Sequence, residues 1–285
     1  MSSEAKPKSS SSIRAPVAII SPADGWIPID LKELWIYREL LFTFISRDIK
    51  VRYKQTALGA AWAVIQPLFM MVVFTLAFGR LAKIPSEDLP YPLFNYIALL
   101  PWMLFSEGIT RSTRSMTANA HIMTKAYFPR LVLPISGVLS PVIDFLIAFI
   151  ILLVMMLHFG YIPGINALFL PAFVVLAIAT SLGVGLWFSA LNVQYRDFQY
   201  MMPFLIQLWL FASPVVYPSS LLPEPYKLLF GLNPMAGVIE GFRWSMLGTA
   251  PPGILTLISV LVVLIILVSG AFYFRRMEKI FADVV

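Results

Sequence analysis

The chain has 285 residues, of which 59% are hydrophobic and 13% are charged, with a mean hydropathy of +0.82 and a net charge of +6. A water-soluble domain of this size could not cover so much apolar surface with polar groups, so the composition indicates a membrane protein. The absence of cysteine excludes disulfides, thiolate nucleophiles and thiolate metal sites. The basic excess is typical of the cytoplasmic loops of membrane proteins, and we expect no nucleic-acid partner.

The N-terminal region divides into two predicted parts. Residues 1–16 are Ser-rich, which predicts a disordered tail, and they lack the apolar run of a cleavable signal peptide. Residues 17–56 predict a cytoplasmic segment with an amphipathic helix, in which Asp30 is the N-cap and Glu33 its capping-box partner. The helix is expected to lie at the membrane interface, and packing on a protein core is the alternative. Its apolar face is formed by Leu34, Tyr37, Leu41 and Phe44.

Six uncharged windows are long enough to cross a bilayer, because a spanning helix needs roughly 20 mostly apolar residues. We therefore predict an all-α membrane protein with six transmembrane helices, whose transmembrane domain covers residues 57–285. The windows lie near residues 57–79, 93–110, 132–158, 166–190, 198–217 and 253–274.

Basic residues in the connections orient the chain, since cytoplasmic loops collect Lys and Arg. Nine of them precede the first window, four lie in residues 111–130, one lies in residues 191–197 and three follow the last window. The opposite side holds four, and acidic residues offset them there. Both termini are therefore predicted to be cytoplasmic.

The polar loop 111–130 is too polar to span and is predicted to hold a short helix from Ser112 to Ala126, which ends before Pro129. A basic cytoplasmic helix between two spans can be a handle for a partner protein. It can equally be a solvated loop whose charges set the topology, and the segment alone leaves both readings open.

Several polar residues lie in or near the windows. Glu107 and Arg111 are four residues apart and predict an ion pair at the cytoplasmic end of the second window. Asp144 is deeper, and we expect it to bond a neighbouring helix or to line a polar passage. Gln66 can bond neighbouring helices, and Pro67 next to it removes a backbone donor and predicts a kink.

The outer segment between the fifth and sixth windows is apolar but broken. Pro223 can begin a short helix that Gly231 ends, and Asn233 can cap a second one, with Pro234 at its first position and Gly248 at its end. Neither helix is long enough to cross. They predict a re-entrant helical hairpin, which is tolerated at membrane depth where it is buried in protein or lines a cavity.

Aromatic residues of the fourth and fifth windows are candidates for a sugar-binding passage, because aromatic faces accept the C–H faces of sugar rings. Lipid-facing aromatics are equally expected in such windows. The candidates are Trp187, Trp209, Phe211 and Tyr217.

Motifs for catalysis and nucleotide binding are missing from the sequence. No HExxH, GxSxG or GxxxxGK[ST] occurs, and the two histidines, His121 and His158, are predicted at opposite ends of the bundle, where they cannot share a metal. Any energy source must therefore come from another protein.

Seven separated stretches together resemble one family. The chain resembles the permease subunits of ABC-2 type polysaccharide exporters, which export O-antigen, capsule and teichoic acid chains, over residues 17–285. The resemblance is carried by GW near Trp26, ELWIYRELL at 33–41, RDIKVRYKQTALGAAWAVIQP at 47–67, AYFPRLVLPIS at 126–136, NVQYRDF at 192–198, LNPM at 232–235 and FRRMEKIFADV at 274–284.

The resemblance implies a homodimer in a bacterial inner membrane, two copies of a separate ABC ATPase subunit that binds ATP-Mg, and a lipid-linked polysaccharide as substrate. It implies no cofactor, metal or catalytic residue in this chain. The loop helix would then be a coupling helix seated on the ATPase and flanked by the interfacial helix. The coupling residues implied are Arg111, Arg114, Asn119, His121, Lys125, Tyr37, Arg38 and Glu39.

The resemblance also implies that the hairpin at 223–247 is an outer gate, for which Pro223, Asn233, Pro234 and Gly237 are the candidates. Gln66 would lie where the first span adjoins the translocation path. Export of a small lipid or drug is the alternative within the family. A membrane-embedded glycan-modifying enzyme and a scaffold for glycan enzymes are alternatives outside it.

Overall fold

The computed structural model describes residues 31–54, 59–195 and 197–284, and these residues form helices and connecting turns without any β-strand. The predicted tail at 1–16, the predicted N-cap Asp30 and the loop residue Arg196 lie outside the described residues.

Twelve α-helices follow one another in the described part of the chain. They are α1 (Leu31–Ile36), α2 (Arg38–Lys54), α3 (Trp62–Phe74), α4 (Tyr91–Ala118), α5 (Ala120–Met123), α6 (Val132–Leu139), α7 (Val142–His158), α8 (Leu170–Gln194), α9 (Phe198–Phe211), α10 (Glu224–Gly231), α11 (Pro234–Leu247) and α12 (Ile254–Val284).

Four helical stretches in the described ranges are long and apolar enough to cross a membrane. They are Gly59–Leu81, Val132–His158, Ile165–Gln194 and Ile254–Glu278. The other two predicted windows fall on α4, which is 28 residues long but carries polar residues along its length, and on α9, which has 14 residues. That α4 and α9 also cross the membrane, which would make six crossings in all, therefore stays a prediction.

Helix α4 is the centre of the bundle, and this position explains its polarity. It packs against α3, α6, α7, α8, α9 and α11, and Phe94, Ile97 and Phe105 are fully buried on it. A helix surrounded by protein does not need a lipid-facing surface, so hydroxyl and amide side chains are tolerated where they find partners. Thr113, for example, bonds the carbonyl oxygen of Ile109 within the helix.

The loop helix predicted from Ser112 to Ala126 is wrong in its boundaries. Helix α4 continues without a break to Ala118, and only the four residues of α5 form a separate helix. The reason is packing, because Ser112 and Met116 are buried and their burial extends the helix past the predicted end of the window. Asn119 interrupts it with φ −113° and ψ 18°.

The third predicted window consists of two helices, and this changes the position of Asp144. Ser140 and Pro141 separate α6 from α7, and Asp144 lies in the first turn of α7. The sequence placed Asp144 deeper than Glu107, and it does lie within the apolar stretch Val132–His158. The break puts it at the end of α7 that contacts α2, as described below.

The predicted amphipathic segment is helical, with a turn at Tyr37 between α1 and α2. Phe44 is buried against Phe128, with ring centroids 5.8 Å apart, and Leu34 and Leu41 pack on the same apolar cluster. The face assigned to the membrane surface therefore lies on protein, which was the alternative. The apolar side chains left exposed on this segment include Trp35, Ile36 and Phe42.

Helices α8 and α12 approach closely because both carry glycine at the contact. A Cβ atom on Gly270 would lie 2.5 Å from the carbonyl oxygen of Gly183, and one on Gly183 would lie 2.8 Å from the amide nitrogen of Leu267. Small residues let helix backbones meet in this way, which increases van der Waals contact between apolar helices. The pair fixes the C-terminal helix against the core.

Gly270→Ala is expected to lower the free energy of unfolding by about 1–3 kcal/mol, because the added methyl group meets backbone that cannot move aside. The control is Gly164→Ala, at a position where a Cβ atom has open space around it, and it should change the value by less than about 0.5 kcal/mol. Denaturant unfolding of the purified protein in micelles, followed by tryptophan fluorescence, measures both. Equal effects would contradict the close contact.

Candidate functional site: a basic face and a helical hairpin

An exposed basic face is formed by the end of α4, by α5 and by the loop that follows it. Arg114, His121, Lys125 and Tyr127 are exposed on this surface. Three of them are predicted coupling residues, of which Arg114 lies on α4, His121 on α5 and Lys125 just after α5. A cationic surface of this kind can contact an acidic or hydrogen-bonding partner.

Asn119 has a different position from the other predicted coupling residues. It is buried, its Nδ2 donates to the carbonyl oxygen of Ser115 at 2.7 Å, and its Oδ1 accepts from Arg47 Nη1 at 2.8 Å. Arg47 also pairs with Asp48 at 2.8 Å and lies over the Phe44 ring at 4.8 Å. Asn119 therefore fixes α2 to the junction of α4 and α5 and is not itself available on the surface.

A second set of contacts connects the C-terminal helix to this face. Arg275 Nη1 pairs with Glu278 at 2.8 Å, and its Nη2 lies 3.9 Å from Glu33 of α1. Arg130, which follows the exposed loop, donates through Nη1 to the carbonyl oxygen of Glu278. Helices α1 and α12 and the loop after α5 therefore meet in one network.

Of the remaining predicted coupling residues, three are fully or partly exposed and one packs against other side chains. Arg111 pairs with Glu107 at 3.2 Å, as the four-residue spacing predicted, and both side chains are partly exposed. Tyr37 packs on the apolar cluster under α2. Arg38 and Glu39 are exposed, and Arg38 lies 5.3 Å from the Trp35 ring centroid.

A cleft opens between α3, α4 and α7 beside this face. Gln66 and Pro67 of α3, Glu107 of α4 and Asp144 of α7 line it. Gln66 is exposed and Pro67 is buried, and α3 continues through the proline as a helix. Asp144 accepts hydrogen bonds from Arg52 and Tyr53 of α2, although the sequence separates these residues widely. The expectation that Asp144 bonds a neighbouring helix is confirmed.

The outer hairpin consists of α10 and α11, with the boundaries that the sequence predicted. Pro223 precedes α10, Asn233 is the N-cap of α11 with its side chain accepting from the Met235 amide, and Pro234 is the first residue of α11. Gly248 ends α11 in the left-handed conformation, with φ 68°, which glycine adopts without strain.

Asn233 also connects the hairpin to α9. Its Oδ1 accepts from Trp209 Nε1 at 2.9 Å, and its Nδ2 donates to the Ala212 carbonyl and to Ser213 Oγ, both at 2.9 Å. Both polar atoms of the amide are therefore used, and a change at this residue affects two helices.

Gly237 lies where α11 crosses α12. Its amide donates to Ser259 Oγ at 3.2 Å, and that hydroxyl donates to the carbonyl oxygen of Gly231 at 3.0 Å. A Cβ atom on Gly237 would lie 2.6 Å from the Ser259 Cβ. The missing side chain therefore lets the hairpin pack directly on the last helix.

Arg243 of α11 is a candidate that sequence reasoning missed, because it was counted only as an outer charge. It is 2% exposed, lies 3.7 Å from the Phe94 ring centroid and donates to the Val215 carbonyl at 3.1 Å. Glu240 lies 3.8 Å away. The signal was a cation within the apolar helix sequence, which indicates a partner inside the protein.

The four aromatic candidates lie in two places. The Trp209 ring meets Phe105 edge-on at 5.0 Å, and Tyr217 donates to the Phe211 carbonyl at 3.0 Å, so three of the candidates lie close to Asn233. Trp187 instead stacks on Tyr273 at 4.2 Å and donates to Ser269 of α12. Its position favours helix packing, and the path role of all four stays a prediction.

Known proteins similar to this chain share one description. The ABC-2 type transporter family matches residues 39–247. The chain is similar to the O-antigen export system permease protein RfbA of Myxococcus xanthus, with 31% identity over 255 residues, which are 87% of this chain and 96% of the relative. It is 30% identical to an RfbA of Klebsiella pneumoniae over 72% of this chain and 79% of the relative. It is 24% identical to the polysialic acid transport protein KpsM of Escherichia coli over 82% and 91%. The chain therefore belongs to the ABC-2 type transporter family.

Proposed function

We propose that the chain is the transmembrane subunit of an ATP-driven exporter that moves a lipid-linked polysaccharide, of the O-antigen or capsule type, across the cytoplasmic membrane of a bacterium. The observation that carries the substrate class is the likeness over most of the chain to the O-antigen and polysialic acid transport proteins named above. The exposed cationic face and the hairpin, of which α11 is largely buried, support an ATP-driven transport cycle.

The proposed topology has six crossings with both termini in the cytoplasm. Helices α4 and α9 add the second and fifth crossings to the four apolar stretches. The second is supported by the position of α4 inside the bundle, since a helix shielded from lipid can cross with polar residues on it. The orientation is supported by the basic residues of the cytoplasmic loops.

The proposed assembly has two copies of this chain and two copies of an ABC ATPase, to which ATP-Mg binds. The stretch Gly59–Leu81 leaves a face open for a second copy, because 17% of its apolar window is buried, against 28% to 33% in the other three stretches. Exposed apolar residues on α9, such as Phe204 and Leu208, add a second free face. A second copy or lipid must cover these faces. A translocation path between two copies would bring Gln66 and Phe211 to its wall.

In the proposed cycle, ATP binding draws the ATPase subunits together, and they push on the exposed face around Arg114, His121 and Lys125. The contacts of Asn119 with Arg47 carry this displacement to α2. The spans that line the path then shift, and the outer hairpin releases the polymer on the far side. Aromatic rings near Asn233 provide faces on which sugar rings can slide.

Reconstitution of the chain with its ATPase in proteoliposomes tests the proposed function. Lipid-linked polysaccharide added on the ATPase side should become accessible to a glycosidase on the other side only with ATP. ATP-dependent movement of a small lipid, with no movement of polymer, would contradict the substrate class. Modification of the glycan without movement would contradict transport itself.

Arg114→Ala combined with Lys125→Ala is expected to lower export about tenfold while the ATPase still co-purifies and hydrolyses ATP. The reason is that the loss of two exposed contact side chains weakens the transmission of movement to this chain more than it weakens binding of the ATPase. Export per ATP hydrolysed is the measurement. Lys83→Ala is the matched control, since this exposed cation lies between α3 and α4 at the predicted outer side. Unchanged hydrolysis and export in the double variant would refute the coupling assignment.

Asn233→Ala is expected to weaken the closed state of the hairpin by about 1–2 kcal/mol, since α11 loses its N-cap and Trp209 loses its acceptor. Proteoliposomes without ATP should then release a trapped dye faster than wild-type ones. Asn166→Ala, on the turn before α8, provides a control for the loss of an asparagine outside the hairpin. A variant that seals as well as wild type argues against a gate at α11.

A further inference from the structure

The last turn of α2 contacts the first turn of α7. Arg52 donates through Nη1 to one carboxylate oxygen of Asp144, and the Tyr53 hydroxyl donates to the other. The side chains of Arg52 and Asp144 are 26% and 16% exposed. Charged groups buried to this degree are stabilised by their partner more than surface pairs are, and removing one partner leaves the other poorly solvated.

The contact does not follow the order of the chain. Helix α2 is followed by α3 and the rest of the first apolar stretch. Its charged end nevertheless bonds α7, which begins 88 residues after Lys54. A displacement of α2 is therefore delivered to the second apolar stretch, Val132–His158, through side chains, in addition to the first through the backbone.

The middle and the C-terminal end of α2 are held by different parts of the protein. Near its middle, Arg47 bonds Asn119 at the junction of α4 and α5, where the exposed basic face begins. At its end, Arg52 and Asp144 lie beside the cleft that Gln66 and Glu107 also line. Helix α2 therefore lies between the proposed ATPase contact and the wall of the cleft.

We propose that Arg52, Tyr53 and Asp144 form a strap, which keeps α2 and α7 together throughout the transport cycle and moves α7 relative to α3 and α4 when the ATPase displaces α2. The three are positioning residues and act through α7. The inference rests on the proposed function, because it takes α2 as part of the coupling face.

Asp144→Asn tests the strap in the reconstituted exporter. Export is expected to fall about tenfold, the equivalent of one hydrogen bond to a charged group, while ATP hydrolysis stays within about twofold. The exchange Arg52→Asp with Asp144→Arg restores the pair in reverse, and the Tyr53 oxygen can then accept from the guanidinium. It should recover at least half of the lost export, a rescue that a purely local packing role would not give.

Glu87→Gln is the matched control. It makes the same chemical change at an exposed carboxylate, which accepts from Ser220 at 2.8 Å and does not line the cleft. It leaves the contact between α2 and α7 intact, and export should stay within about twofold of wild type. Equal losses in Asp144→Asn and Glu87→Gln would overturn the strap in favour of a general sensitivity to the loss of a carboxylate.

A cross-link provides the second measurement, and it also decides the question if Asp144→Asn fails to fold. The chain has no cysteine, so Arg52→Cys with Asp144→Cys can be joined selectively by a short bis-maleimide. Export should be low before cross-linking and recover after it, because the strap stays closed in every state. Cross-linked protein that remains inactive would overturn the proposal. Wild-type protein in the same vesicles distinguishes a failure of the strap from a failure of the proposed function. If wild-type protein exports no polysaccharide, the result contradicts the proposed function.

Discussion

Burial of a charged or amide side chain in an apolar helix bundle costs several kcal/mol unless the side chain bonds another part of the protein, because lipid offers no partner. Several polar side chains of the described residues meet this constraint by bonding distant segments. Asp144 bonds α2, Asn119 accepts from Arg47, Asn233 bonds α9, and Arg243 lies on Phe94 and bonds the carbonyl that follows α9. Asn95 of α4 is an exception, since it is fully buried and neither polar atom of its amide has a hydrogen-bond partner in the described part of the chain. The bonded residues add long-range contacts to the apolar packing of the bundle.

The features that could be predicted from sequence are those fixed by near neighbours in the chain. The caps of α11 depend on Asn233, Pro234 and Gly248, which act within one turn, and the Glu107–Arg111 pair depends on helical spacing. The features that could not be predicted depend on residues far away. The length of α4, the burial of the apolar face of α2 and the partner of Asp144 are set by packing partners from 70 to more than 200 residues distant. The hydrophobic periodicity of one segment gives no information about packing partners so far away in the sequence.

The two ends of the bundle are held by different chemistry. At the end that carries Arg114 and Lys125, the ion pairs of Arg52 with Asp144 and of Arg275 with Glu33, together with the hydrogen bond of Arg47 to Asn119, connect separate helices. At the end that carries the hairpin, Asn233 and Ser259 bond backbone groups, and Gly237 allows direct contact with α12. Long charged side chains keep their contacts when the helices shift by small distances. Short polar side chains that bond backbone groups keep their contacts in one helix arrangement only. The first arrangement suits an end that moves continuously with a partner, and the second suits an end that is closed or open.

The packing of the helices also indicates which of them move. Helices α4, α8 and α12 form one unit, in which α4 and α8 are joined through Gly185 at Ser112 and α8 and α12 through Gly183 and Gly270. Such contacts leave no room for sliding. The stretch Gly59–Leu81 has less of its surface buried, contains Pro67 and ends in a π-helical turn from Thr75 to Leu81, where the regular backbone bonds are interrupted. Because α2 is joined to α7 through the strap and to this stretch through the backbone after Lys54, a displacement of α2 reaches α7 and α3 along different connections and changes the angle between them at the cleft. The rigid unit then serves as the fixed part against which the cleft opens.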